Sequence, residues 1–221
     1  RWWLLAKDAA AAAAPDEMGV AGAAMAQVAT VGAIPDPAGA EAALDHALKV
    51  MRKLEDPIEV AYLARQVLLA GARIGADAWH RCVTQIGQHP PLRLDPPRRQ
   101  EVMWQAIDVA QHMRTPADRA AAMATAPDIA HHLVRPAYEA AAYASIAELA
   151  HRMPDRAVQP WIDQIGHRLE AACEDPEARD VLSKTAKRVA SIHSERAVAL
   201  AERIPDPYLR GLWLVGMLRA G

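Results

Sequence analysis

Asp56-Pro57-Ile58-Glu59, followed by the glycines Gly71 and Gly75, is the stretch that decides the fold. An Asp at the N-cap accepts a hydrogen bond from the free amides of a helix start, and a Pro at the first helical position gives up no amide that the helix needs. Glu59 arrives three residues after the cap, as in a capping box, although Asp stands where Ser or Thr is usual. Gly71 and Gly75 then suit a helix end. The segment reads as one helix with both of its ends marked.

The same start signal recurs along the chain as Asp36-Pro37, Asp95-Pro96, Asp175-Pro176 and Asp206-Pro207, with further breaks at Pro116, Pro136 and Pro154. Pro37 to Pro57 is 20 residues, Pro57 to Pro96 is 39, Pro96 to Pro116 and Pro116 to Pro136 are 20 each, Pro136 to Pro154 is 18, and Pro154 to Pro176 is 22. The unit is one helix plus a turn. Between breaks the apolar residues run at helical spacing, as in Ala40, Ala43, Leu44, Ala47, Leu48 and Met51, and again in Val102, Met103, Ala106, Val109 and Ala110. Turns this short leave neighbouring helices antiparallel, so two of them make a hairpin of about 40 residues. Pro127 and Pro160 are expected to cut their segments short, and the 31 residues from Pro176 to Pro207 leave room for two short helices meeting around Ser191 to Ser194.

Stacked hairpins opening on Asp-Pro-x-x-Arg, over residues 36–221, resemble the bacterial α-solenoid helical-repeat proteins. A 40-residue unit falls between the tetratricopeptide repeat (TPR) and the HEAT or armadillo repeat, and the Trp, Gly and Tyr signature of the tetratricopeptide repeat is absent, so no subfamily is assigned. The resemblance implies an all-α fold of antiparallel hairpins stacked as a right-handed α-solenoid, with 10–11 short helices. Residues 1–35 would form irregular N-terminal helices ahead of the repeats in a single array spanning 1–221.

Composition agrees with a folded helical chain: 52% hydrophobic, 24% charged, rich in Ala and without Phe. A net charge of -2 gives no global field for nucleic acid or anionic membrane. Cys82 and Cys173 lie far apart without CxxC spacing and read as buried thiols in a reducing, cytoplasmic setting. The opening Arg1-Trp2-Trp3-Leu4-Leu5-Ala6 is interrupted by Lys7-Asp8 before the Ala9 to Ala14 run, which suits neither a signal peptide nor a membrane span. The first residue is not Met and the last ones, Arg219-Ala220-Gly221, read as helix, so a segment of a longer protein is expected. The Ala, Arg and Pro content suits a high-GC bacterium.

Arg99, Arg119, Arg179 and Arg210 each stand three residues after a break Pro, which a solenoid would turn into a ladder. Such a ladder either grips phosphates or an acidic partner, or bonds carboxylates and helix-end carbonyls of its own chain, and the negative net charge favours the second. The nine His include His112, His131, His132, His151 and His167, but no HExxH occurs, and His131 and His132 point about 100° apart on a helix. Trp79, Trp104, Trp161 and Trp213 read mainly as core, with Trp104 and Trp161 the candidates for a binding groove. The pairs Asp16-Glu17 and Glu174-Asp175 suit helix starts, where the dipole favours negative charge.

No GxSxG or Gly-rich phosphate loop is present, neither Cys has a local signature, and no catalytic residue, cofactor or metal is assigned. The expected function is a non-enzymatic protein- or peptide-binding scaffold or sensor module of a larger bacterial protein, with Arg99, Arg119, Trp104 and Trp161 as partner-binding candidates. The rival class is a HEAT-like nucleic-acid-binding or DNA-repair protein, in which Arg98, Arg99, Arg119 and Trp104 would open a basic groove. Self-association is a further expectation, because the last helix, Tyr208 to Val215, is nearly apolar all round and needs burial.

Overall fold

The computed structural model describes residues 18–154, 156–175 and 178–220, and all of its regular structure there is helical. Twelve α-helices and one 3-10 helix are present among the described residues. The segment before Met18, with Asp16-Glu17, lies outside them, as do Asp155, Pro176 and Glu177. The chain divides into two compact units, residues 1–122 and 123–221, with the boundary inside one helix.

The first unit contains α1 Met18–Gly32, α2 Pro37–Met51, α3 Pro57–Ile74, α4 Ala76–Gln88, α5 Pro90–Leu94 and α6 Pro96–Val109, then the 3-10 turn Ala110–His112 and the start of α7 Pro116–His131. The Asp-Pro starts behave as their chemistry requires. Asp36 accepts from the Gly39 amide at 3.0 Å, Asp56 from Ile58 at 2.8 Å and Asp95 from Arg98 at 3.2 Å. Each such cap contributes about 1 kcal/mol. Helix α1 packs on α2 and α3, while α3 packs on α4 and α6. The core lies between them, filled by Met25, Leu44, Leu48, Leu63, Leu68 and Ile107.

The second unit contains the rest of α7, then α8 Pro136–His151, α9 Gln159–Ala172, α10 Ala178–Ile192, α11 Ser194–Ala201 and α12 Pro207–Leu218. Here α8 packs on α9 and α10, and α10 packs on α11 and α12. Asp206 caps α12 through the Leu209 amide at 2.8 Å. In both units a helix touches its next-but-one neighbour, and three ion pairs mark that spacing: Glu41–Arg81, Arg135–Asp175 and Glu148–Arg188 each join residues 40 apart. The two-helix period read from the prolines is thus a contact period within each unit.

Several local expectations need correction. Gly71 does not end α3. It lies inside the helix, where an added Cβ would stand 3.0 Å from Cys82 Sγ and from Trp79 Cα, so it lets α4 approach closely. The helix stops instead at Gly75, whose φ of +157° suits only glycine, and α4 begins directly after it with no proline to announce it. Pro127 sits within α7 without breaking it, and Pro160 occupies the first turn of α9, where proline is at home. Cys82 is buried as expected, but Cys173 is only partly covered. The two helices expected between Pro176 and Pro207 are present as α10 and α11.

Candidate docking site

Helix α12 carries Pro-Tyr-Leu-Arg-Gly-Leu-Trp-Leu-Val-Gly-Met-Leu, with no acidic residue and one base. One arc of it, Leu209, Trp213 and Gly216, is buried. Gly216 is required there: a Cβ would stand 2.3 Å from the Ser183 carbonyl oxygen of α10, so only glycine permits this approach. Trp213 is fully buried and its indole N–H donates to the Ala197 carbonyl of α11 at 2.8 Å. These contacts fix the helix by one side.

The opposite arc remains apolar and open. At 100° per residue Gly211, Leu214, Val215 and Leu218 fall together, and Leu214, Val215 and Leu218 are 42%, 42% and 82% exposed. Between this arc and the end of α10 runs an open groove of about 640 Å³, lined by Ala190, Ser191, Ser194, Leu214, Met217, Leu218 and Ala220. No lining residue is charged. On α10, Lys184 and Lys187 precede Ser191 at helical spacing, so the strip that reaches the groove carries two exposed cations, with exposed Asp180 one turn further back. Neither forms an ion pair among the described residues.

The groove wall is held from behind. Arg188 of α10 donates to Glu148 at 2.7 Å and to the Ser145 hydroxyl at 2.8 Å, both on α8, and Arg152 also pairs with Glu148 at 2.8 Å. At the other end of α8, Arg135 grips Asp175 through two nitrogens, one of them at 3.1 Å, and lies over the Tyr138 ring at 5.1 Å. Asp175 thereby serves as an ion-pair partner across helices, a use beyond the helix-start role read from sequence.

The sequence-derived candidates are spread over both units. In the first, Arg99 is exposed and Trp104 is buried at 6% exposure, and on α6 five residues turn the two about 140° apart. Arg119 donates to the carbonyls of Met113 at 2.9 Å and Arg114 at 3.3 Å, and Arg98 pairs with Asp95 at 2.8 Å. In the second, partly covered Trp161 stacks on Tyr143 with centroids 6.3 Å apart, while Arg168 lies 4.8 Å over the same Tyr143 ring and pairs with Glu139. Arg210 donates twice to the Ile204 carbonyl, at 2.9 and 2.7 Å, and Arg179 lies over Tyr208. Arg119 and Arg210 therefore do the same job, closing the turn six residues behind them.

A second concavity of about 210 Å³ is lined by Cys173, Glu174, Asp175, Arg179, Asp206, Tyr208 and Leu209. Its charges are largely spent within the chain: Asp175 on Arg135, Asp206 on the cap of α12, Arg179 on Tyr208. Burial pushes the Cys173 thiol up, and it pushes the Cys82 thiol up to about 12. Among the described residues no group of His, Cys, Asp and Glu is arranged to hold a metal ion, and no helix is long and apolar enough to cross a membrane.

Sequence reasoning noticed the apolar character of α12 but did not name Leu214, Met217 or Leu218 as a site. The signal was the lack of any polar face on the helix. Compared against family models, curated proteins and solved structures, the chain matches none, so its functional reading rests on its own residues.

Proposed function

We propose that the chain is a non-enzymatic protein-binding scaffold module, a helical-repeat array of the α-solenoid kind belonging to a larger bacterial protein, and that α10 and α12 supply its docking surface. The observation that carries this reading is the open groove beside Leu214, Met217 and Leu218, whose lining bears no charge. Exposed apolar surface of this kind releases ordered water when covered, at about 25 cal/mol per Å². It is also a cost in an unbound protein, since it invites nonspecific association, and contiguous apolar patches mark interaction sites. The geometry suits a helix: the wall is a pair of helices, and an amphipathic helix meets such a wall with residues at i, i+3, i+4 and i+7. The 40-residue contact period supports the repeat reading, because it is the spacing at which stacked hairpins meet.

The test is affinity capture from the source organism, with and without nuclease treatment, with three baits: the native chain, Leu214→Asp/Leu218→Asp, and Val134→Asp. Val134 is as exposed as Leu218 but lies away from the groove in sequence and lining. A protein held by the native and Val134→Asp baits and lost from the double variant is the expected result. Equal retention by all three would overturn the groove, and retention of nucleic acid alone in untreated extract would favour the nucleic-acid class instead.

A further inference from the structure

We infer that the occupant of the α10–α12 groove is an acidic amphipathic helix of a partner protein rather than a second copy of this chain. The inference rests on the docking reading above and adds the chemistry of the partner. Its warrant is charge. Lys184 and Lys187 stand exposed on the α10 strip that leads to Ser191 in the groove wall, and neither is neutralised by a carboxylate among the described residues. This contrasts with Arg188, the next residue on, whose guanidinium is consumed by Glu148 and Ser145. Two cations beside an uncharged apolar floor match a helix whose Leu-like residues enter the groove and whose flanking residues are Asp or Glu. Complementary charge of this kind raises the encounter rate and rejects partners of the wrong sign.

A second copy is a poor match by the same criterion. The open arc of α12 is bordered by Arg210 on one side and Arg219 on the other, and the helix contains no acid. Two such faces brought together set Arg against Arg, and the acids nearest the groove in sequence, Asp180 before Lys184 and Glu195 beside Ser194, lie on α10 and α11 and not on the α12 arc. Like charges opposed across a contact cost rather than stabilise.

The experiment titrates the full 221-residue chain with three fluorescent peptides of one length: an amphipathic helix with Leu at i, i+3, i+4 and i+7 and Glu elsewhere, the same peptide with Lys for Glu, and a scramble of the acidic one. Anisotropy at low salt should show the acidic helix binding about tenfold tighter than the basic one or the scramble, a gap that narrows as salt rises. Lys184→Glu/Lys187→Glu, two exposed changes that spare the core, should reverse the preference, and Leu218→Asp should weaken both helices. Equal affinity for acidic and basic helices would overturn the charge inference and leave the docking groove standing. Concentration-dependent dimerisation by light scattering, abolished by Leu218→Asp and without peptide binding, would replace the partner helix with a second copy. Neither binding nor dimerisation would overturn the inference and the docking reading together.

Discussion

The two units solve the same packing problem with different materials. Each is anchored by a fully buried tryptophan whose indole N–H donates to a backbone carbonyl on another helix, Trp79 to Ala106 and Trp213 to Ala197. Their ion pairs differ. In the first unit Arg81–Glu41 and Arg65–Glu101 lie open to solvent, with side chains about two-fifths exposed. In the second, Arg135–Asp175, Arg168–Glu139 and Arg188–Glu148 are mostly covered, and two of these arginines also lie over tyrosine rings. Exposed pairs contribute little because water and salt screen them, whereas covered pairs are costly to break because one charge is left without a partner. The first unit thus depends on apolar packing and caps, and the second depends on charge as well.

The strongest way to break the symmetry is to remove what the units share. Trp79→Ala and Trp213→Ala should each cost about 3–5 kcal/mol, read from the midpoint of urea unfolding, because each leaves a cavity and removes a buried hydrogen bond. Next come the ion pairs, where the units should part. Asp175→Ala should destabilise by about 2–4 kcal/mol by stranding the covered Arg135, while Glu41→Ala should cost less than about 1 kcal/mol. Equal losses at the two positions would remove the distinction between the units.

A smaller effect separates them by pH. Burial alone would raise the Asp118 carboxyl, but hydrogen bonds from the Thr115 hydroxyl at 2.6 Å and the Ala76 amide at 2.9 Å, together with nearby Arg114, hold it below the usual carboxylate range. A carboxyl lowered on folding stabilises fully above its unfolded value, and that contribution disappears as pH falls through the lowered folded value. Acid titration of stability should therefore flatten in Asp118→Asn relative to the native chain, with no difference between them near neutrality beyond a constant offset. The smallest effect is chemical: a thiol reagent should modify partly covered Cys173 in the folded chain and reach Cys82, buried and pushed up to about 12, only on unfolding. Modification of Cys82 at the Cys173 rate would show the first unit to be open.

The parts of this fold legible in the sequence are those governed by neighbours in the chain. Asp-Pro at positions 36, 56, 95 and 206 announces a helix because cap and amide lie within three residues of each other. The start of α4 after Gly75 was not legible, since the cap there is a backbone shape, and the Asp118 oxygen that takes the Ala76 amide comes from 42 residues away. Pro127 misled for the opposite reason: a local breaker tolerated within α7. The repeated Arg was visible as a pattern, but the partners were not: Arg119 turns to a carbonyl, Arg179 to a ring, and Arg99 is exposed. The groove beside α12 was half visible. Composition marked α12 as apolar all round, but which arc would be buried was set by the contact of Gly216 with Ser183, a meeting of distant residues.

Hydrogen exchange on the full chain, with and without the acidic amphipathic helix, tests the central claim most directly. The account predicts slowed exchange confined to Lys184–Ser194 and Leu214–Ala220, with α4 and α6 unchanged. Protection that appears instead around Arg99 and Arg119 in the first unit, or that is absent from α12, would contradict it.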